Sequence, residues 1–432
     1  MPRGFERSPG GVAKGPFLFG FSNSDAPCAG IDRPTNKEGA GSCGAGRTIG
    51  WKSQPAIRRV KQAVSEIKKV ARRDPVLAAE GAVLFLERVS PAIERVDSSS
   101  GAIGTAVNRA IEELVQIIAD APADTKTRET WLERLWEAHA EDQIPYIERL
   151  ADHWGELCGS KEGASEWADR LLDITRMALS PDKNLRGHFH GTTACLTALY
   201  RAERYAEILD VLEHETFWPY KRWAVKALGA MGNKVEAIRI AESSRDPWTS
   251  DADVDALCEE MLLSSGLVEE AYTRYGLRAN RGGTYLATFR AVAKKYPQKP
   301  AEQILADLVA STPGEEGKWF TAAKDLGLYD AAVKLARASP CDPKTLARAA
   351  RDHLTKQPEF AVEAGYAALD WLAQGFGYEI AGADVWMAYS SAMKAAEALG
   401  RAQEMKERVR KLAESRYSFV TDVLGCELGL SR

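Results

Sequence analysis

Residues 41 to 48 read GSCGAGRT, which sets Gly41, Gly46 and Thr48 in the register of the phosphate-binding loop G-x-x-x-x-G-K-[ST]. Such a loop follows a buried strand, feeds a helix and places a compact ammonium beside the phosphates. Here Arg47 stands at the lysine position, and the preceding DRPTNKEGA has no strand pattern. The stretch reads as glycine-rich connecting sequence, so no nucleotide cofactor is expected. Asp251-Ala-Asp253-Val-Asp255 opens like a calcium loop. The sixth and twelfth positions, which need glycine and a bidentate glutamate, are Ala256 and Leu262. These acids read as the first turn of a helix, where the helix dipole favours negative charge.

Metal and nucleophile chemistry are equally short of partners. His188 and His190 in RGHFHG offer two imidazoles, and His153 with Cys158 offers a nitrogen and a sulfur. Neither pair has two further ligands nearby in sequence, and H-E-x-x-H is absent. With 6 histidines and no G-x-S-x-G elbow, no nucleophile–base pair is identified. The sequence therefore predicts no catalytic residue, no metal and no cofactor.

Two stretches carry binding chemistry instead. AIRRVKQAVSEIKKVARR sets Arg58, Arg59, Lys61, Lys68, Lys69, Arg72 and Arg73 against a single acid, Glu66. That balance suits nucleic acid, an anionic surface or an acidic partner. It has no interleaved aromatics for base stacking and no bulky apolar face for lipid. The solvated outer face of a helix is the simpler reading. FWPYKRW, residues 217–223, is the densest aromatic cluster. Trp218, Tyr220, Arg222 and Trp223 are residue types that dominate binding hot spots and that also pack helices.

Composition bounds the rest. The chain has 432 residues, 45% hydrophobic, with 57 basic and 61 acidic side chains and a net charge of −4. A core of useful size follows, and a protein-wide affinity for nucleic acid does not. No apolar stretch reaches the ~18–20 residues of a membrane span. The N-terminus has no secretory h-region. The 7 cysteines are Cys28, Cys43, Cys158, Cys195, Cys258, Cys341 and Cys426, scattered and odd in number. That predicts buried, unpaired thiols and a cytoplasmic location.

The elements that must position these residues are helices. Residues 1–53 hold 11 of the 35 glycines and no period, and read as a flexible segment in which only Phe17-Leu18-Phe19 would touch a core. From Pro55, apolar residues recur at three and four: Ile57, Val60, Val64, Ile67 and Ala71. Asp74-Pro75 divides this helix from the next. Another begins after VDSSSG, with Ser99 or Ser100 as its N-cap. Further helices are expected near 125–139, 144–157 and 161–179, and strand signals are almost absent. The segments expected are a 54–185 helical domain and a 186–432 repeat domain.

The repeats come from five stretches, LYRAERYAEIL, LGAMGNKVEAI, LLSSGLVEEAY, AKDLGLYDAAV and EALGRAQEMK. Glu203, Gly232, Gly266, Gly327 and Gly400 share the turn position. Four residues earlier stand Leu199, Leu228, Leu262, Ala323 and Ala396. Five residues later stand Ile208, Ala237, Ala271, Ala332 and Met405. The pattern predicts helix, left-handed turn, helix, with one degenerate unit hidden in each of the two longest intervals. It resembles the tetratricopeptide repeat over roughly 190–415. A second small residue, seven positions after the first, departs from that repeat: it reads Ser244, Arg278 and Ser339 in three units.

Residues 85–114, FLERVSPAIERVDSSSGAIGTAVNRAIEEL, resemble a segment of an uncharacterised family of bacterial helical-repeat proteins, also seen after SWIM-type zinc fingers. The cysteine and histidine set of that finger is missing here, so the resemblance implies a fold and no chemistry. The fold expected is an all-α solenoid of stacked antiparallel hairpins. The function expected is a non-catalytic scaffold or adaptor that binds a protein or peptide. The alternative is nucleic-acid binding through the 54–73 helix, and an enzyme of unrecognised type comes a distant third.

Overall fold

The computed structural model describes residues 53–415 and 418–430, all helical or in the turns between helices. GSCGAGRT, Phe17-Leu18-Phe19, Cys28 and Cys43 lie outside the described residues. The chain divides into two compact units between Asn233 and Lys234.

The first unit holds α1 (Ser53–Ala71), α2 (Pro75–Ile93), α3 (Ala102–Asp120) and α4 (Thr125–Ala140). A 3-10 turn (Glu148–His153) runs into α5 (Trp154–Leu157), then α6 (Lys161–Ala178), α7 (Thr192–Arg201), α8 (Tyr205–Val211) and α9 (Trp218–Ala230) follow. The helices start where short polar side chains satisfy free backbone N–H groups. Asp74 accepts from Leu77, Asp124 from Thr127 and Ser160 from Gly163. The third helix departs from expectation. Its N-cap is Gly101, at φ 67°, not Ser99 or Ser100. The Asp97 carboxylate takes the Ser99 N–H instead, so the turn closes ahead of the helix.

One core runs through this unit, from Ile57 to Ala227. Residues 185 and 186 fall inside this unit, exposed in the connection between α6 and α7, and these two helices pack together. The Arg128 guanidinium ties three elements at once. It donates to the carbonyls of Ile118 at 3.0 Å, Ala121 at 2.7 Å and Leu157 at 3.2 Å, closing the C-terminal ends of α3 and α5.

The second unit holds α10 (Lys234–Ser243), α11 (Asp251–Leu263) and α12 (Val268–Ala271). A π-helical turn (Tyr272–Gly276) continues directly into α13 (Leu277–Ala279). Then come α14 (Tyr285–Lys295), α15 (Ala301–Ala310), a 3-10 turn (Glu316–Trp319), α16 (Phe320–Asp325) and α17 (Tyr329–Ala338). The chain ends with α18 (Pro343–Asp352), α19 (Pro358–Ala373), α20 (Gly382–Ala398), α21 (Ala402–Ser415) and α22 (Phe419–Leu428).

The five aligned turns share one geometry. Glu203 has φ 60°, and Gly232, Gly266, Gly327 and Gly400 have φ 86°, 74°, 74° and 69°. In each, the next residue donates to the carbonyl of the residue four before the turn: Arg204 to Leu199, Asn233 to Leu228, Leu267 to Leu262, Leu328 to Ala323 and Arg401 to Ala396. This is a Schellman closure, which needs the left-handed residue at its corner. Five residues on, Ile208, Ala237, Ala271 and Ala332 are 0% exposed and Met405 is 1% exposed. The two long intervals do contain further helix pairs, α14 with α15 and α18 with α19. Their turns, around Tyr296–Pro300 and His353–Gln357, contain no glycine, so the turn pattern passed over them.

Candidate binding cleft

The aromatic cluster divides between core and cleft. Trp218 is 6% exposed, and Tyr220 is half-buried, its ring 5.3 Å edge-on from the exposed Phe217. Burial comes first in raising the Tyr220 hydroxyl above its ordinary range. Trp223, equally 6% exposed and part of the core, lines a cleft of about 400 Å³ together with Arg222.

Local packing sets the walls of this cleft. The 3-10 turn before α5 presents Arg149, Asp152 and His153. Gly155 lets α5 lie against α7, because a Cβ there would sit 2.3 Å from the Thr197 carbonyl oxygen. The Gly155 N–H donates to the Thr197 hydroxyl at 3.3 Å. Opposite stand Tyr200 and Arg201 from the end of α7, and Tyr205 from the start of α8. Lys226, one turn beyond Arg222 on α9, completes the rim.

Aromatic and cationic groups are interleaved here. The Tyr200 ring meets Trp223 edge to face at 5.6 Å and Tyr205 at 5.4 Å. Lys226 Nζ lies 4.4 Å and Arg222 Cζ 5.7 Å from the Trp223 centroid. Arg222 Nη2 donates to Asp152 at 2.5 Å, and His153 Nδ1 lies 3.3 Å from Glu156. Lys161 reaches in to Glu203 at 2.5 Å. Two buried donors in this wall, Arg222 Nε and Trp223 Nε1, meet no acceptor among the described residues. An unsatisfied buried N–H costs about 1–3 kcal/mol, so an oxygen brought to these atoms would be favourable.

The basic helix is where the sequence put it. Arg58, Arg59, Lys61, Lys68 and Lys69 are exposed on α1, and Arg72 and Arg73 are exposed in the turn that follows it. Lys68 pairs with Glu113 on α3 at 2.7 Å, and Lys69 with Glu66 at 2.8 Å.

The acids of the calcium-like stretch serve α11. Ser250 caps the helix, accepting from the Asp253 N–H. Asp255 is buried between Arg245 and Arg278, and the latter donates at 2.8 Å. Burial alone would raise the Asp255 carboxyl; hydrogen bonds from the two arginines overcome it and hold the group below its ordinary range. Glu259, one turn on, is 0% exposed. It accepts from Asn280 at 2.7 Å, from Lys295 at 2.5 Å and from the Tyr296 hydroxyl at 2.5 Å. Three donors from inside the protein thus meet its two oxygens.

His190 is drawn to a partner that sequence spacing did not suggest. Its ring centroid is 5.7 Å from His139 and 5.2 Å from Trp136. His139 follows Leu132 and Leu135 on the apolar face of α4, and that periodicity was the available signal. Burial first, and then His190, lower its pKa. Among the described residues no group of three or more His, Cys, Asp or Glu is arranged to hold a metal ion. Burial pushes the Cys158 and Cys341 thiols up to about 12 and those of Cys195 and Cys258 to about 11. Cys426, expected on an apolar face, is exposed on α22.

Sequence reasoning missed Arg149, Asp152, Tyr200, Arg201, Tyr205 and Lys226 as cleft residues. They come from separate helices, and only the tyrosines flanking the Glu203 turn gave a hint. It also passed over Trp248, which is 95% exposed on the loop before α11. No protein-family model matches the chain, and no significant match was found among curated proteins. Among the described residues, no helix is long and apolar enough to cross a membrane.

Proposed function

We propose that the protein is a non-catalytic scaffold of tetratricopeptide-like helical hairpins, stacked as a solenoid, that binds a peptide segment of a partner protein. The observation that carries this reading is a cleft walled by the edge-to-face pair Tyr200 and Trp223 together with Arg222, where Trp223 Nε1 and Arg222 Nε lie buried without an acceptor among the described residues. A peptide supplies what that wall lacks: backbone carbonyl or carboxylate oxygens for the donors, and a side chain to lie on Tyr200 and Tyr205. The recurrent left-handed turns support the hairpin reading. Arg201 on the rim favours an acidic residue in that segment.

Selection from a random peptide library against the full chain tests this. Enriched peptides are expected to bind Trp223→Phe, which keeps the ring and removes the N–H, about five- to tenfold more weakly, in line with one lost hydrogen bond. Arg201→Glu is expected to weaken them again. The reading is lost if nothing is enriched, or if the enriched peptides bind both variants as well as the wild type.

A further inference from the structure

A second surface, separate from the cleft, has a different chemistry. The basic helix α1 and its neighbour α3 border a groove of about 760 Å³. Its floor is aliphatic, built from Ile57, Val60 and Val64 of α1 with Ala106 and Ala110 of α3. Its rim carries Lys61, Lys68, Lys69 and Arg72 on one side and Arg109 on the other. Glu113 is the single acid lining it, and that carboxylate is held by Lys68 at 2.7 Å. Lys61, Arg72 and Arg109 form no ion pair among the described residues, the nearby acids Glu113 and Glu112 being paired with Lys68 and Arg149.

We propose that this groove docks an amphipathic helix of an acidic partner protein, apolar face down on the floor and carboxylates against the rim. Three features favour this occupant. The floor residues Ile57, Val60, Val64, Ala106 and Ala110 are apolar, which rewards buried Leu or Ile side chains that a nucleic acid does not offer. The groove contains no aromatic ring on which a base could stack. Its extent is that of a helix: at 1.5 Å per residue, Gln54 to Lys69 spans about 22 Å of α1, and Ala102 to Glu113 about 17 Å of α3. Unpaired cations on both rims give the partner charge and register, since an i, i+4 ladder of acids meets them turn by turn.

The test is fluorescence anisotropy with the full chain and a labelled helical peptide of roughly four turns, leucine on one face and glutamate on the other. Binding is expected, weakened at least tenfold in the triple variant Lys61→Glu, Arg72→Glu, Arg109→Glu. Thr105→Trp keeps every charge and fills the groove from an exposed position, and is expected to abolish binding with the circular dichroism unchanged. Equal binding of an acidic peptide with its leucines scattered would overturn the proposal. So would preferential binding of a single-stranded RNA of the same charge. A cross-link from Lys61 to Lys14 or Lys37 would overturn it as well, because residues 1–52 of this chain would then be the occupant. The peptide-library experiment reads the Trp223 cleft independently of any of these results.

Discussion

Arg222 on α9 donates to Asp152, in the turn before α5, at 2.5 Å and across 70 positions of sequence. The pair is half-buried and links two walls of one cleft. Asp152→Ala removes the acceptor and leaves the guanidinium with a single face to solvent. The expected loss is about 1 kcal/mol in urea unfolding, a figure kept small by the partial exposure of both groups. The double variant with Arg222→Ala should lose less than the sum of the singles. Strict additivity would show that the contact contributes nothing.

The shared turn geometry makes a sharper claim. A Cβ built at Gly232, Gly266, Gly327 or Gly400 meets nothing within 4 Å, so only the backbone conformation opposes a side chain there. Alanine at each of the four is therefore expected to cost about the same, roughly 1 kcal/mol, in thermal or urea unfolding. Glu203→Gly runs the other way. It relieves a non-glycine residue held at φ 60°, and loses only an exposed ion pair with Lys161. A gain of about 0.5 kcal/mol is expected, and a loss would mean that the Lys161 pair outweighs the backbone.

Asp255 and Asp253 stand two residues apart and should behave quite differently. Asp253 is exposed in the first turn of α11, and alanine there should change stability by no more than about 0.5 kcal/mol. Asp255→Ala leaves Arg245 and Arg278 converging with no carboxylate between them, and should cost about 2–4 kcal/mol. Calcium should leave the melting temperature of the wild type unchanged, because Asp255 is already paired.

The His139 environment sets a pH dependence. Burial in the first place and His190 in the second hold its folded pKa below the unfolded value of 6.5, against opposing pulls from the Glu148 backbone and the Asp142 carboxylate. His190 is itself lowered, by burial and then by His188. A histidine with a depressed folded pKa stabilises the fold fully above the unfolded pKa. That contribution falls as pH drops below 6.5, because the unfolded chain takes up the proton first. Urea midpoints measured from pH 7.5 to 5 should fall for the wild type, and fall less for His139→Phe. Equal slopes would put the pH dependence elsewhere.

Helical periodicity was legible because a helix's apolar face depends on local spacing alone. The ranges expected near 125–139 and 161–179 emerge as α4 and α6, and the Schellman corners sit at the aligned turn residues. Caps were less so: the N-cap residue is Gly101, with Asp97 accepting from the Ser99 N–H and the Ser100 hydroxyl accepting from the Ala102 N–H at 3.4 Å. The cleft was the least legible. Its residues lie on four segments between positions 149 and 226, and no local spacing connects Arg149 with Lys226. Only Arg222 and Trp223 were in view, through residue type rather than through geometry. The acids of α11 were legible as a helix start, and Asp251 and Asp253 stand in its first turn, but the burial of Asp255 and Glu259 was not. Their partners, Arg278 and Tyr296, lie well beyond the local stretch.

The π-helical turn at Tyr272–Gly276 has a bearing on how the repeats are counted. A π turn carries one residue more than the α-helix it interrupts. Counting seven from Ala271 lands on the exposed Arg278, which looked like a failed repeat position. Allowing for the extra residue, the count lands on Ala279, small and half-buried, as the repeat requires. Within the repeat reading proposed above, the departure at this position is one of numbering. Removing one residue from the turn should restore α-helical winding and rotate Arg278 off Asp255. Any alignment of these hairpins needs a one-residue gap after Ala271.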